Sequence, residues 1–123
     1  MGLNMNNKLI YYIECTCIRE CKFPNVEYHI GDIIYFNPKA ASNETYVYYD
    51  YINNCFTDWY KENHIKYGGL ISNGHLPFTR QKKFAKKWQI KSYAEYWVRW
   101  IEEIRDFKCE IKEIKITYTE EEL

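Results

Sequence analysis

The sequence predicts a single α+β domain, spanning 1–123, in which N- and C-terminal strands form one small mixed sheet packed with two to three helices. Three observations lead there. Apolar residues alternate with period two near both ends of the chain. Between those ends they recur every three or four residues, as on a helix face. No internal repeat, linker or shift in composition divides the 123 residues, a length that suits one core.

The first strand is read over Leu9 to Ile18, where Leu9, Tyr11, Ile13, Cys15 and Cys17 fall on one face. Ile10, Tyr12 and Ile18 lie opposite, so both faces are expected to be covered. Phe23-Pro24-Asn25 breaks the pattern. Val26 to Ile30 follows as a second strand, Gly31-Asp32 as a turn or bulge, and Ile33 to Phe36 continues as strand until Asn37-Pro38 ends it. Between Ser42 and Gly69 two four-residue repeats run in parallel: Tyr48, Ile52, Phe56, Tyr60 and Val47, Tyr51, Cys55, Trp59. They predict a helix with Ser42 as N-cap and Gly68 at C′. The run Thr45 to Tyr51 has competing β propensity, so the helix is assigned over at least Asn54 to Lys66.

Leu70-Ile71-Ser72 reads as a short strand and Asn73-Gly74 as a tight turn. Thr79 is placed as the N-cap of a short helix over Arg80 to Trp88. Ser92 and Glu95 have the spacing of a capping box. The helix they open carries Tyr93, Trp97, Trp100, Ile101 and Ile104 on one face. In the last strand Phe107, Cys109 and Ile111 alternate, then Ile114, Ile116 and Tyr118. The phase slips between the two sets, which predicts a bulge or bend near Lys112-Glu113. Glu120 to Leu123 reads as a frayed acidic end.

Composition narrows the function classes. The chain has 13 Tyr and four Trp. Such side chains suit sheets, and they are also enriched at protein-binding hot spots. Seventeen basic and 17 acidic residues cancel, so total charge points to neither nucleic acid nor a membrane surface. The distribution is uneven, with seven Lys/Arg and no acid from Asn63 to Lys91, then five Lys/Arg against nine acids from Ser92 to Leu123. No stretch approaches the ~20 apolar residues of a membrane span. Met1 to Lys8 is Asn-rich with no apolar leader segment, so a cytoplasmic setting with reduced thiols is expected.

Two clusters carry chemistry. Cys15, Cys17 and Cys21 place three soft ligands within seven residues, with Cys109 as a fourth if the last strand lies beside the first. His29 and Cys55 are other options. Tetrahedral zinc is the structural metal such ligands fit. Against it, Cys15 and Cys17 on a regular strand stand roughly 6–7 Å apart, so the strand would have to turn near Cys17. The competing reading makes Cys15 and Cys109 small buried hydrophobes. The second cluster is Arg80-Gln81-Lys82-Lys83-Phe84-Ala85-Lys86-Lys87-Trp88. On a helix Phe84, Ala85 and Trp88 would face inward, while Arg80, Lys82, Lys83, Lys86 and Lys87, with Lys91 beyond, would form a basic face. Such a face binds phosphate backbones or an acidic protein groove, or is simply solvated.

No phosphate-binding Gly-rich loop, nucleophile elbow, zinc-protease helix or calcium loop is present. His29, His64 and His75 sit in unrelated contexts. The expectation is a binding protein and not an enzyme. A Cys–His dyad formed in space stays open, as does a thiol- or metal-dependent enzyme.

Size, heavy Lys/Asn/Ile/Tyr usage, the Tyr/Trp excess and the segment Thr79 to Trp100 together resemble small proteins of phages and prophages from low-GC bacteria. In that style the chain is similar to anti-CRISPRs and other anti-defence inhibitors. The resemblance implies a stoichiometric inhibitor of a large bacterial protein or ribonucleoprotein, such as an RNA-guided nuclease in the host cytoplasm. It transfers no individual residue. The alternative is a small nucleic-acid-binding regulator that uses the same basic face.

Overall fold

A computed structural model describes residues 3–23, 26–38, 49–50, 52–71 and 77–121. Its elements are β1 (Leu3–Cys17), β2 (Cys21–Lys22), β3 (Glu27–Tyr28), β4 (Ile33–Phe36), β5 (Tyr49–Asp50), β6 (Cys55–Phe56), α1 (Asp58–Ile71), β7 (Phe78–Thr79), a 3-10 turn (Lys82–Phe84), α2 (Lys91–Glu102) and β8 (Phe107–Glu121). The fold is α+β. A four-stranded sheet in the order β7-β4-β1-β8 unites both ends of the chain, and its pairings are antiparallel.

The frame is the β1–β8 pair. It runs from Leu3↔Glu121 to Cys17↔Phe107 without a break in register. The first strand therefore starts six residues before the expected Leu9. Its odd residues Ile13, Cys15 and Cys17 are buried together with Ile34, Phe36, Phe78 and Phe107. Across this face lies α2, which buries Ala94 and Ile101, and Ile104 just beyond it joins the same core. Trp97 closes on Phe36 at 5.0 Å between ring centroids. The helix stripe is thus Ala94, Trp97, Val98, Ile101 and Ile104, whereas Tyr93, expected on the inner face, is exposed.

Several boundaries differ from the sequence expectation. The helix assigned from Asn54 begins at Asp58. An Asx turn intervenes, in which the Asp50 carboxylate accepts the Ile52 and Asn53 amides at 3.0 and 3.1 Å. Asn54 then takes φ of 54° and closes the β5–β6 hairpin. Local side-chain-to-backbone bonding thus overrides the four-residue repeat. Thr57 caps the helix that follows, its Oγ1 accepting the Tyr60 amide at 3.3 Å. Gly68 is not a C′ residue, because α1 runs on to Ile71 and takes in two residues expected as strand. Ser42, Asn73, Gly74 and His75 lie outside the described residues, as does part of the break at Pro24.

The helix expected over Arg80 to Trp88 does not form; one 3-10 turn stands in its place. The segment is drawn out because its backbone is used by the sheet. Lys86 N–H donates to Phe36 O at 2.9 Å, and Tyr11 and Trp88 exchange amide bonds at 2.8 and 2.9 Å. Where β4 leaves β1, Trp88 takes the next place beside it. The Ser92/Glu95 capping box is also absent. α2 starts at Lys91 with Ile90 as N-cap and no side-chain cap bond, since the anchored Trp88 sets the chain direction first.

The predicted bulge at Lys112-Glu113 is absent as well, because the register is constant through it. The slipped pattern has another cause. Odd residues of β8 face the core only while α2 lies over them. Past the Tyr11–Trp88 bridge, Ile114, Ile116 and Tyr118 line the opposite face with Ile10. There β1 and β8 continue as a two-stranded ribbon with no described third strand.

Candidate functional site

The four predicted metal-ligating thiols fall into two pairs, Cys15 on β1 with Cys109 on β8, and Cys17 at the end of β1 with Cys21 on β2 of the separate β2–β3 hairpin. Cys15 and Cys109 are direct cross-strand partners with their sulfurs 3.5 Å apart. Ile18 N–H donates to Asp106 O at 2.8 Å, which makes the even pairs of this ladder the hydrogen-bonded ones. Cys15 and Cys109 therefore occupy a non-hydrogen-bonded pair, where Cβ atoms approach most closely. The Cys109 thiol and burial together hold the Cys15 pKa well above the ordinary thiol value. Cys17 donates to Arg19 O at 2.8 Å. Burial, and then the Cys17 thiol beside it, push Cys21 up to about 12.

At neutral pH Cys15 and Cys21 are thus protonated thiols, poor nucleophiles that a metal would have to deprotonate. β1 stays regular through Thr16 and keeps Cys15 and Cys17 spaced along it. Among the described residues no group of three or more Cys, His, Asp or Glu is placed to hold one ion. A single tetrahedral site on Cys15, Cys17, Cys21 and Cys109 would require β1 to bend. Of the other two options, Cys55 is exposed on β6, and His29 is 3.2 Å from the Glu20 carboxylate.

The six basic residues have unequal surroundings. Arg80 is a clamp: it donates to Glu27 O at 2.9 Å and Asp32 Oδ2 at 3.3 Å, and its guanidinium lies 5.0 Å from the Tyr28 ring centre. It ties the β3–β4 turn to the strand after α1. Lys82 stands over the Tyr12 ring at 5.5 Å, and the Tyr12 hydroxyl raises its pKa. Lys83 lies 5.0 Å from the Phe84 ring centre, and Lys91 lies 4.0 Å from Glu113. Lys86 and Lys87 are exposed.

The sequence points to exposed Tyr or Trp beside these cations, but not to which apolar side chains are exposed. Phe84, expected to face inward, is 52% exposed, and Ile90, Tyr93 and Tyr96 are open to a similar degree. Trp88 is half-buried and stacked on Phe36 at 5.9 Å, while Tyr96 meets Trp97 edge-on at 5.3 Å. Along the chain, the stretch from Lys82 to Tyr96 therefore alternates exposed charge with exposed apolar side chains. Next to Tyr96, a shallow hollow is lined by Arg99, Trp100 and Glu103. No described helix is long and apolar enough to cross a membrane. No protein-family model, curated protein or solved structure matches the chain.

Proposed function

We propose that this protein is a small stoichiometric binding protein that acts by covering a surface of a large partner, as phage-type inhibitors of bacterial defence nucleases do. One observation carries this reading: Phe84, Ile90, Tyr93 and Tyr96 are exposed among Lys83, Lys86, Lys87 and Lys91. Rings supply contact area at low conformational cost, and surrounding cations steer an acidic partner and speed encounter. The partner in this reading is an acidic protein face, such as one on an RNA-guided nuclease in the host cytoplasm. Nothing in the reading requires catalysis by this chain.

Affinity capture from a low-GC bacterial lysate, with and without nuclease treatment, tests it. One protein partner retained after nuclease treatment, and lost when Lys83, Lys86 and Lys87 become Glu, supports the reading. A partner that binds the Glu-substituted chain equally well would place the contact elsewhere. The second reading, a nucleic-acid-binding regulator, rests on the same exposed rings, which could stack on bases beside phosphate-binding lysines. It requires affinity for DNA or RNA that falls steeply with salt.

Structural zinc on Cys15, Cys17, Cys21 and Cys109 is a separate proposal. About one equivalent of zinc in untagged protein, with stability lost in chelator, would support it; less than about a tenth would exclude it.

A further inference from the structure

The longest unpaired feature among the described residues is the outer edge of β8. This strand ends the sheet order and runs from Phe107 to Glu121 with β1 on one side. Long edge strands of this kind are templates for pairing unless something covers or blunts them. The direction of each backbone group follows from the ladder. Asp106 O accepts from Ile18, so even residues of β8 point their amides and carbonyls toward β1. Odd residues, including Ile111, Glu113, Lys115 and Thr117, point theirs outward.

We propose that this edge pairs with the same edge of a second copy, forming an antiparallel two-fold dimer centred on Ile114. Antiparallel ladders match outward-pointing residues with outward-pointing residues, so the two-fold axis must pass through a residue. Centring on Ile114, the midpoint of β8, sets Glu113 opposite Lys115 of the second copy and Lys115 opposite its Glu113. Ile114 then faces Ile114. From Glu110 to Tyr118 no two like charges fall opposite one another. Moving the axis by one residue breaks this match: on Glu113 two glutamates oppose, and on Lys115 two lysines oppose. Like charges placed directly opposite are destabilising. The charge order around Ile114 is thus complementary to itself in one register and repulsive in its two neighbours.

The faces agree with this register. Ile10 is the direct β1 partner of Ile114. In the dimer Ile10, Ile114 and their two-fold copies form one apolar row across four strands. In a single chain that row ends at an open edge, with Ile116 and Tyr118 beside it 40% and 45% exposed. Glu113 is half exposed, and its contact within the chain is the 4.0 Å approach of Lys91, which leaves it free to turn to the second copy.

The test uses charge reversal with rescue. Sedimentation across a range of concentrations should give a species of twice the 15.1 kDa chain mass. Glu113→Lys alone, and Lys115→Glu alone, each put like charges at both two-fold-related positions and should weaken dimerisation by about tenfold or more. Mixing these two variants makes all four positions complementary again and should restore a dimer; the double variant should also dimerise. Rescue by mixing separates a lost interface from a misfolded chain. Ile114→Cys adds a geometric check, since a mild disulfide oxidant should join the two substituted positions across the axis, giving a linked peptide by mass spectrometry. A wild-type chain that stays monomeric at every concentration overturns the proposal. So does a dimer indifferent to both reversals, which would lie on another surface. Binding of a different protein's strand to this edge, with no self-association, overturns it too.

Discussion

Arg105 shows how much a single residue can be strained by its position. It lies in the turn between α2 and β8 with φ of 66°, donating its amide to Glu102 O at 3.1 Å. A left-handed backbone of this kind favours glycine, because a Cβ is disfavoured there. Arg105→Gly should therefore raise stability by roughly 0.5–1 kcal/mol in chemical denaturation. Gly31 is the opposite case, since it already supplies φ of 93° at the turn before β4. Asp32 beside it accepts the His29 amide and the Arg80 guanidinium, and these bonds hold its carboxyl below the ordinary 3.8. A depressed folded-state pKa stabilises the fold above the unfolded value and loses that effect as pH falls through the folded one. Melting temperatures of wild type and Asp32→Asn should thus differ near neutral pH and converge as pH drops below 3.8. Thiol reactivity follows burial in the same way. Cys55 should label first in native protein, and Cys15 and Cys17, with 0% and 1% exposure, only on unfolding.

At the scale of elements, α2 has two separable faces. Ile101 is fully buried against the sheet, so Ile101→Ala should cost about 2–5 kcal/mol. Tyr93 stands on the exposed side, so Tyr93→Ala should change stability by no more than about 0.5 kcal/mol. Under the proposed function, Tyr93→Ala should nevertheless weaken partner binding. Denaturant midpoints and binding assays on the two variants separate packing from recognition. The basic segment teaches a related lesson. Its helical pattern is real in the sequence, but Trp88 is claimed by Tyr11 and Phe36, and two further backbone groups, the Lys86 amide and the Phe84 carbonyl, are claimed by Phe36 and Asn37. Satisfying the sheet edge outweighs the propensity of nine residues to coil. The lysines expected as one helix face therefore ride on an extended strap.

Across the whole molecule, stability is unevenly spread. Cys15 lies where β1 pairs with both β4 and β8, and Ile13 lies between that pairing and the Tyr11–Trp88 bridge; both are buried in the core that α2 covers. Among the described residues, Leu3 to Ile10 have β8 alone. Amide exchange should follow this division. Lys8 and Ile10 point at β8 and should exchange more slowly than Asn7 and Leu9, whose amides face the open edge of β1. Glu113, Lys115 and Thr117 point outward from β8. Their exchange should slow on raising protein concentration if two copies pair, while Asn7 and Leu9 stay fast. Ile13 and Cys15 should remain the slowest of all.

Local periodicity was enough for the α+β class, the terminal strands of one sheet, the Ile33–Phe36 strand and the apolar helix near the C-terminus. These depend on periodicities of two and about 3.6, which neighbours in the chain fix. It also brought Cys109 into question as a partner of Cys15, since both fall on inward positions of strands assigned to one sheet. Tertiary structure decided the rest. Whether Arg80–Trp88 coils depends on who needs its amides. Whether the phase slip in β8 makes a bulge or bend depends on where α2 stops covering the sheet. Which thiols meet depends on strand register, and register is set by the whole pattern of burial across two strands far apart in sequence. Long-range pairing decides such features because its hydrogen bonds and buried area outweigh the few tenths of a kcal/mol per residue that local propensity supplies.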